Sequence, residues 1–233
     1  KKDLSIKVGL EYKKLIISSR DNFFKTLFNE DPYFFEDSNF FSYVGGLKFD
    51  TFDDKIFPKN GFLFEGNAQL FLSYSGIKSD FSQFSYIKLN IAKAFNFFDN
   101  WSFVLGAQSG VKIGGSNMKS LDFGLGGYGY NNINNYFSFY GYDYFSLTGD
   151  SFTKAYATLD YEFFKNHHLN VSSNFAAVGD DIFLQSEWAD IQNYSGYAIG
   201  YGLDTIFGPI ELKYNWSPET KYSAYLISVG YWF

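Results

Sequence analysis

Apolar and polar side chains alternate with a period of two along most of the chain, and residues 222–233 show the pattern clearly. Tyr225, Ile227, Val229, Tyr231 and Phe233 share one face, whereas most residues of the other face are small or polar. Because successive side chains of a strand point to opposite faces, this pattern predicts a β-strand with one apolar face. Such a strand suits the wall of a lipid-embedded barrel, and it also suits the last strand of a soluble sandwich.

Nine other segments alternate in the same way, and no segment of useful length has the helical period. In the first segment the phase slips near Lys13 and Lys14, which predicts a β-bulge there. In the third segment the alternation places Phe62, Leu72 and Tyr74 on one apolar face. The ten predicted strands run over about 4–19, 39–51, 62–74, 82–97, 101–113, 154–163, 168–178, 196–204, 210–216 and 222–233.

The second faces of these strands carry charged and amide side chains, which would be costly in the dry interior of a sandwich. Loops also alternate between long and short, as in bacterial barrels. We therefore predict an all-β fold, a transmembrane antiparallel up-and-down β-barrel of about ten strands, closed alone, by further strands or by a second copy. The predicted lumen-facing polar residues are Glu65, Gln69, Lys88, Lys112, Lys154, Asp160, Glu162, Glu211 and Lys213.

Composition supports this prediction. Aromatic residues make up 23% of the 233 residues, with 30 Phe and 20 Tyr, yet the mean hydropathy is only −0.19. No stretch approaches the roughly 20 apolar residues that a membrane-spanning helix needs. The net charge of −6 disfavours a nucleic-acid partner, because phosphate neutralisation needs clustered cations. Cysteine is absent, so the chain has no disulfide framework and no thiolate metal site.

Few residues resemble a catalytic or metal site. The adjacent His167 and His168 are expected in a solvated turn, and Asp180, Asp181 and Glu187 in a polar loop without the calcium-loop pattern. The nearest approach to a Gly-x-Ser-x-Gly nucleophile motif is 73–76, which reads as a strand end. We therefore predict no catalytic residue, no metal and no cofactor in this chain.

Three ordered motifs resemble a known superfamily of outer-membrane barrels. They are Gly46–Thr51 followed by Phe57–Gly61, Phe123–Gly127 followed by Phe139–Tyr142, and Gly208–Tyr214. The set is similar to the barrels of outer-membrane assembly factors and of patatin-like phospholipase autotransporters. In such relatives the second motif folds back into the lumen, so the resemblance assigns a lumen loop to Phe123, Leu125, Gly126, Gly127, Gly141 and Tyr142.

Insertase and secretion-porin barrels carry an arginine before the Gly-Tyr of that loop, where this chain has Tyr140. The stretch 161–169 together with Asn174 looks like the patatin-like branch. The resemblance therefore favours a barrel that anchors or translocates an upstream patatin-like phospholipase, a lipid acyl hydrolase. An assembly factor or secretion porin is the first alternative, and a passive diffusion porin is the second.

The chain ends on Tyr231, Trp232 and Phe233, which resemble the C-terminal assembly signal of Gram-negative outer-membrane barrels. The chain starts without the apolar core of a signal peptide. We therefore expect residues 1–233 to be one barrel domain, the C-terminal part of a longer exported protein of the bacterial outer membrane. The expected partners are outer-membrane lipids, lipopolysaccharide, the barrel assembly machinery and, for wall closure, a homodimer partner.

Overall fold

The computed structural model describes residues 3–18, 35–76, 82–114, 121–127, 135–183 and 193–230. Ten long strands and three short ones account for most of them. The short strands lie in the connection between the fifth and sixth long strands. The strands are β1 (Asp3–Ser18), β2 (Phe35–Asp50), β3 (Gly61–Gly76), β4 (Phe84–Phe98), β5 (Trp101–Gly114), β6 (Phe123–Leu125), β7 (Tyr136–Phe137), β8 (Leu147–Gly149), β9 (Ser151–Phe164), β10 (His167–Gly179), β11 (Asn193–Thr205), β12 (Gly208–Trp216) and β13 (Ser223–Val229).

The long strands form one antiparallel sheet in the order β1-β2-β3-β4-β5-β9-β10-β11-β12-β13. Each long strand pairs with the next long strand along the chain, which is the up-and-down order predicted from the alternation. The predicted fold class is confirmed. Within the described ranges, no helix is long and apolar enough to cross a membrane.

The two faces of the sheet differ sharply in polarity. On β10, Leu169 and Val171 of the outer face are 46% and 55% exposed, whereas Asn170 and Ser172 of the inner face are 3% and 1% exposed. Exposing large apolar side chains while burying amides and hydroxyls is the reverse of a water-soluble sheet. An environment of lipid outside and polar groups inside explains the arrangement.

Both edge strands lie open on one side. Val8 of β1 is 86% exposed and Tyr225 of β13 is 79% exposed, compared with 41% for Leu89 and 47% for Ile199 in the middle of the sheet. In the described residues, β1 pairs only with β2 and β13 only with β12. Because lipid cannot satisfy free backbone groups, these edges require a strand partner in the membrane.

The predicted bulge at Lys13–Lys14 is wrong. The β1–β2 register runs without a shift from the Asp3–Asp50 pair to the Ser18–Phe35 pair. Lys13 simply lies on the inner face, where its ammonium is 3.3 Å from the carboxylate of Glu11, and Lys14 lies outside, 3.4 Å from Asp37. The apparent slip in phase was therefore two consecutive lysines, each paired on its own face.

The β2–β3 pairing does contain a register shift, which inserts an extra residue in β3. The register with β2 shifts between Phe41 and Ser42, so that Ser42 pairs with Phe71 and Phe41 with Ser73. This extra residue reverses the phase beyond it. Tyr74 consequently points inward, packs against the core, and accepts a 3.2 Å hydrogen bond from Ser38. Its predicted place on the outer face with Phe62 is wrong.

Candidate functional site

The inner face of the sheet holds part of the chain's own connection between β5 and β9. We call residues 121–127 and 135–150 the inner segment. Its strand β6 pairs in parallel with β7 and antiparallel with β8, which forms a small second sheet. The inner segment includes all six residues assigned to the lumen loop: Phe123, Leu125, Gly126, Gly127, Gly141 and Tyr142.

Aromatic packing joins one end of the inner segment to the wall. The ring of Phe123 is completely buried, and its centroid lies 5.2 Å from that of Phe152 and 5.5 Å from that of Tyr86. Such edge-to-face pairs add to the free energy gained by burying the rings. The shared core contains Phe40, Phe71, Phe84, Tyr86, Leu121, Phe123, Leu125, Phe139, Tyr142, Leu147, Phe152, Ala176 and Val178.

Three lysines of adjacent strands bind acceptors on the inner segment. The ammonium of Lys88 on β4 donates to the side-chain oxygen of Asn135 at 3.1 Å. Lys112 on β5 forms an ion pair with Asp122. Lys154 on β9 donates to the backbone oxygen of Ser138 at 2.7 Å. All three were predicted as lumen-facing residues, and the structure places them along one band of the inner face.

Lys154 is the most deeply buried cation of this band, with 6% of its surface exposed. Its ammonium also donates to Gln108 at 2.9 Å and lies 5.4 Å from the centroid of the Tyr156 ring. These partners are neutral, so the charge is stabilised by dipoles and by the ring face rather than by a carboxylate. Its direct bond to the Ser138 backbone fixes the path of the inner segment.

Asp122 is a largely buried carboxyl group of the inner segment. Burial raises the pKa of its carboxyl to about 6, even though the hydrogen bond and charge of Lys112 oppose the shift. The nearby Asp150 and Asp180 add a smaller upward contribution to this pKa. The Asp122–Lys112 contact is therefore a partly desolvated pair whose charge changes in mildly acidic solution.

The far end of the inner segment docks against β11, β12 and the connection to β13. The Gly141 amide donates to the side chain of Asn215 at 2.9 Å, and the Gly141 carbonyl accepts from Thr220 at 2.9 Å. Gly141 has φ +74° and lies against the backbone of Trp216 and Ser217, so a larger residue would meet both strain and a clash. This explains a glycine at this position of the motif.

Among the residues that the structure describes, a carboxylate takes part in the docking and no arginine does. Glu219 accepts hydrogen bonds from the hydroxyls of Ser195 at 2.5 Å and Tyr142 at 3.3 Å, and also from Ser217. Tyr140, at the position that the resemblance reserves for arginine, is buried, and its carbonyl lies directly over Gly196 of β11. Neutral donors thus replace an arginine–carboxylate pair.

The turn between β2 and β3, residues 51–60, folds back over the inner face at the opposite end. Asp53 accepts bonds from the amides of Lys59 at 2.9 Å and Asn60 at 3.1 Å, while Asp54 accepts from Phe57 at 2.8 Å. These carboxylates replace the missing ladder bonds of the turn. They point the Phe57 ring inward, where it is 8% exposed.

His168 is not the solvated residue predicted from the sequence. It is 4% exposed, its Nδ1 lies 2.7 Å from a carboxylate oxygen of Asp160, and its ring stacks on Phe57 with centroids 4.0 Å apart. His167 lies on the other face, half-buried, with Nδ1 2.7 Å from the Tyr201 hydroxyl. The prediction failed because the β9–β10 turn ends at Asn166, so both histidines already belong to β10.

A cavity of about 560 Å³ lies between this turn and the inner segment. Phe57 and Pro58 line it on one side, and Ser138 and Tyr140 line it on the other. Its wall combines apolar side chains with several charged ones, and those charged groups are compatible with water inside the cavity. Three of the predicted lumen-facing residues, Asp160, Glu211 and Lys213, also line the cavity.

The remaining predicted polar residues pair with one another or with neighbours. The carboxylate of Glu211 and the ammonium of Lys213 are 2.8 Å apart, and Glu162 accepts from Lys59 at 2.5 Å. Gln69 donates to Glu11 at 2.5 Å, and Glu65 accepts from Asn67 at 3.2 Å. Glu187 and the C-terminal Tyr231, Trp232 and Phe233 lie outside the described residues. In the part of the chain that the structure describes, no three acidic, His or Cys residues could hold a metal ion.

The comparisons with known proteins agree with this architecture. The profile of the OMP85 superfamily matches residues 1–233. The chain belongs to the OMP85 superfamily. As a member of this superfamily, it is an outer-membrane β-barrel of bacteria. No curated protein matches it in sequence.

Among solved structures, the OMP85 chain is similar to a crystal structure of BamA from Haemophilus ducreyi lacking POTRA domains 1–3. The TM-score is 0.65 and the sequence identity is 14%, so this likeness concerns the fold. The match covers 97% of this chain and 49% of the other, which means that the chain spans about half the length of the BamA chain it matches.

Proposed function

We propose that this OMP85 barrel anchors or translocates an attached passenger protein at the outer membrane, with its lumen occupied by its own inner segment. The observation that carries the proposal is the docking of that segment at both ends. Wall lysines bind it on one side, and Asn215 and Glu219 bind it on the other. A segment held in this way narrows the space that a passive diffusion porin would leave open.

The passenger that the sequence motifs favour is a patatin-like phospholipase domain, a lipid acyl hydrolase, placed upstream of this chain. A neutral residue, Tyr140, in place of the arginine supports the patatin-like branch. The inner segment docks on the wall through hydroxyls and amides near Glu219 and needs no arginine–carboxylate pair there. This chain then supplies the membrane wall, and the upstream domain performs any hydrolysis. Lipids and lipopolysaccharide would contact its apolar outer face.

An assembly factor or secretion barrel is the second candidate. The fold likeness to BamA favours it, and so do the open edges of β1 and β13. In this reading the barrel acts on other polypeptides and carries no hydrolase. The two edges would then be closed by further strands of the same protein or by a homodimer partner.

The native polypeptide separates the two candidates. The native protein would be purified from the outer membrane in detergent, and its intact mass would be measured. Its phospholipid hydrolysis would then be assayed before and after the barrel is released by proteolysis. Hydrolysis that stays with an upstream fragment is the result expected for a phospholipase passenger. Depletion that lowers the amounts of other outer-membrane proteins, without any hydrolase activity, would favour the assembly factor. Steady ion conductance with neither property would overturn both.

A further inference from the structure

The β2–β3 turn, residues 51–60, does not extend away from the sheet as an ordinary hairpin loop. Five of its backbone amides donate hydrogen bonds to the carboxylates of Asp53 and Asp54, which curl the turn inward. Phe57 and Pro58 are buried as a result. An apolar turn tip that is buried over a cavity containing charged side chains needs an explanation beyond the connection of two strands.

Two contacts hold the tip of the turn against β9 and β10, strands that are distant from β2 and β3 in the sheet order. The first is the ion pair between the Lys59 ammonium and the Glu162 carboxylate of β9, at 2.5 Å. The second is the Phe57 ring, which stacks at 4.0 Å and 5° on His168 of β10. Asp160 orients His168 from its other side at 2.7 Å.

The wall leaves space for the Phe57 ring because one of its residues lacks a side chain. Gly202 of β11 lies where any Cβ atom would run into the Phe57 ring. Its backbone φ is not in the left-handed region, so glycine is required here by the close approach rather than by backbone conformation. Phe57, His168 and Gly202 therefore form a fitted socket.

We propose that the β2–β3 turn is a removable plug for the cavity, at the end of the barrel that also carries the β4–β5 and β9–β10 turns. Two contacts hold the plug in place: the Lys59–Glu162 ion pair and the packing of Phe57 in its socket. When both are released, the turn swings away, and small water-soluble molecules reach the polar residues of the cavity from that end. This plug acts separately from the inner segment, which borders the cavity on the opposite side, and it does not depend on the nature of the passenger.

The absence of cysteine in this chain makes a clean accessibility test available. Ser102 lines the cavity and is 2% exposed, so Ser102→Cys places one small thiol inside it. The full-length protein carrying this reporter, with any cysteine outside residues 1–233 replaced by serine, would be reconstituted in phospholipid bilayers. Its rate of modification by a charged methanethiosulfonate would then be measured, with Asn100→Cys in the exposed β4–β5 turn as the reference for free access.

In the Phe57→Ala background we expect the reporter to react at least about tenfold faster, because a buried ring contact is lost. In the Lys59→Glu background we expect about fivefold, since a partly exposed ion pair contributes modestly. Lys165→Ala, which removes an exposed lysine of the neighbouring β9–β10 turn, is the matched control and should leave the rate unchanged. Retention of heat-modifiable mobility in gels verifies that each variant folds.

The charge swap keeps the test decisive if Phe57→Ala does not fold. Adding Glu162→Lys to Lys59→Glu restores an ion pair of reversed polarity and should return the rate towards that of the parent. The inference is overturned if the double variant reacts as fast as the single one, or if every variant reacts at the parent rate. It is also overturned if the parent reporter already reacts as fast as Asn100→Cys.

Discussion

Gly196→Ala tests whether the inner segment is seated on the wall as described. Gly196 lies in the contact between β11 and the inner segment. An added Cβ atom would lie well within 3.0 Å of the Tyr140 carbonyl oxygen, which is closer than real Cβ atoms approach other heavy atoms. Its φ is not in the left-handed region, so the substitution strains packing rather than the backbone. The segment must therefore lift away from β11.

The expected magnitude follows from the bonds next to Tyr140. Lifting the segment stretches the bond from the Gly141 amide to Asn215 and the bond from Thr220 to the Gly141 carbonyl, both 2.9 Å long. At about 1 kcal/mol for each hydrogen bond, the docked state loses about 2 kcal/mol. That corresponds to a roughly 30-fold larger population of the open segment relative to the parent, and to correspondingly faster hydrogen exchange.

Hydrogen exchange followed by mass spectrometry would measure this opening in peptides that cover residues 135–150. Gly45→Ala is the matched control, because Gly45 also lies in a long strand and an added Cβ atom there meets nothing within 4 Å. We expect faster exchange in Gly196→Ala alone. Equal exchange in the two variants would refute the docking of the segment on β11.

Three further predictions follow from other parts of the molecule. Folding raises the pKa of Asp122 from 3.8 to about 6, so between these values the docked state holds a proton that the open state has lost. The docked segment should therefore lose on the order of 2 kcal/mol of stability as the pH rises from about 4 to about 6. Asp122→Asn should abolish this pH dependence, measured by hydrogen exchange. Lys154→Met should speed exchange of the segment about fivefold by removing a donor, whereas Lys93→Met on the outer face should not; equal effects would contradict the anchoring. Ile199→Arg, in the middle of β11, should lower the free energy of unfolding by about 2–4 kcal/mol, measured by urea titration of the protein folded in lipid vesicles. Ile206→Arg, at a turn, should lower it by only about 0–1 kcal/mol, and equal costs would contradict the membrane depth assigned to β11.

Alternation predicted where the long strands lie and which face of each meets lipid, and the alternating loop lengths led to the up-and-down order. Leu169 and Val171 against Asn170 and Ser172 are an example in which composition and burial agree residue by residue. The pattern failed in β3, where one extra residue turned Tyr74 inward. A bulge leaves no clear mark in the sequence when apolar residues occupy both faces beside it, as Leu70 on the outer face and Phe71 on the inner face do here.

The socket of the β2–β3 turn could not be predicted from the sequence. It joins Phe57, His168 and Gly202, which are far apart along the chain and come together only when the sheet curves. His168 was expected to be solvated because it stands at the first position of the predicted strand 168–178, directly after the Asn166 turn. The available signal was the strand register: one residue further into β10, the His168 side chain points to the inner face beside Asp160.

The central claim is that this OMP85 sheet is a membrane wall with lipid on its outer face and a filled polar interior. Spin labels placed one at a time at residues 169–175 of β10, in lipid nanodiscs, test it most directly. We predict high collision rates with oxygen at residues 169, 171 and 175, which are exposed in the structure, and an intermediate rate at the half-buried residue 173. At the even-numbered positions, which are buried, we predict low rates with oxygen and with a water-soluble nickel reagent. Absence of this alternation, or nickel access greatest at the odd-numbered positions, would contradict the account.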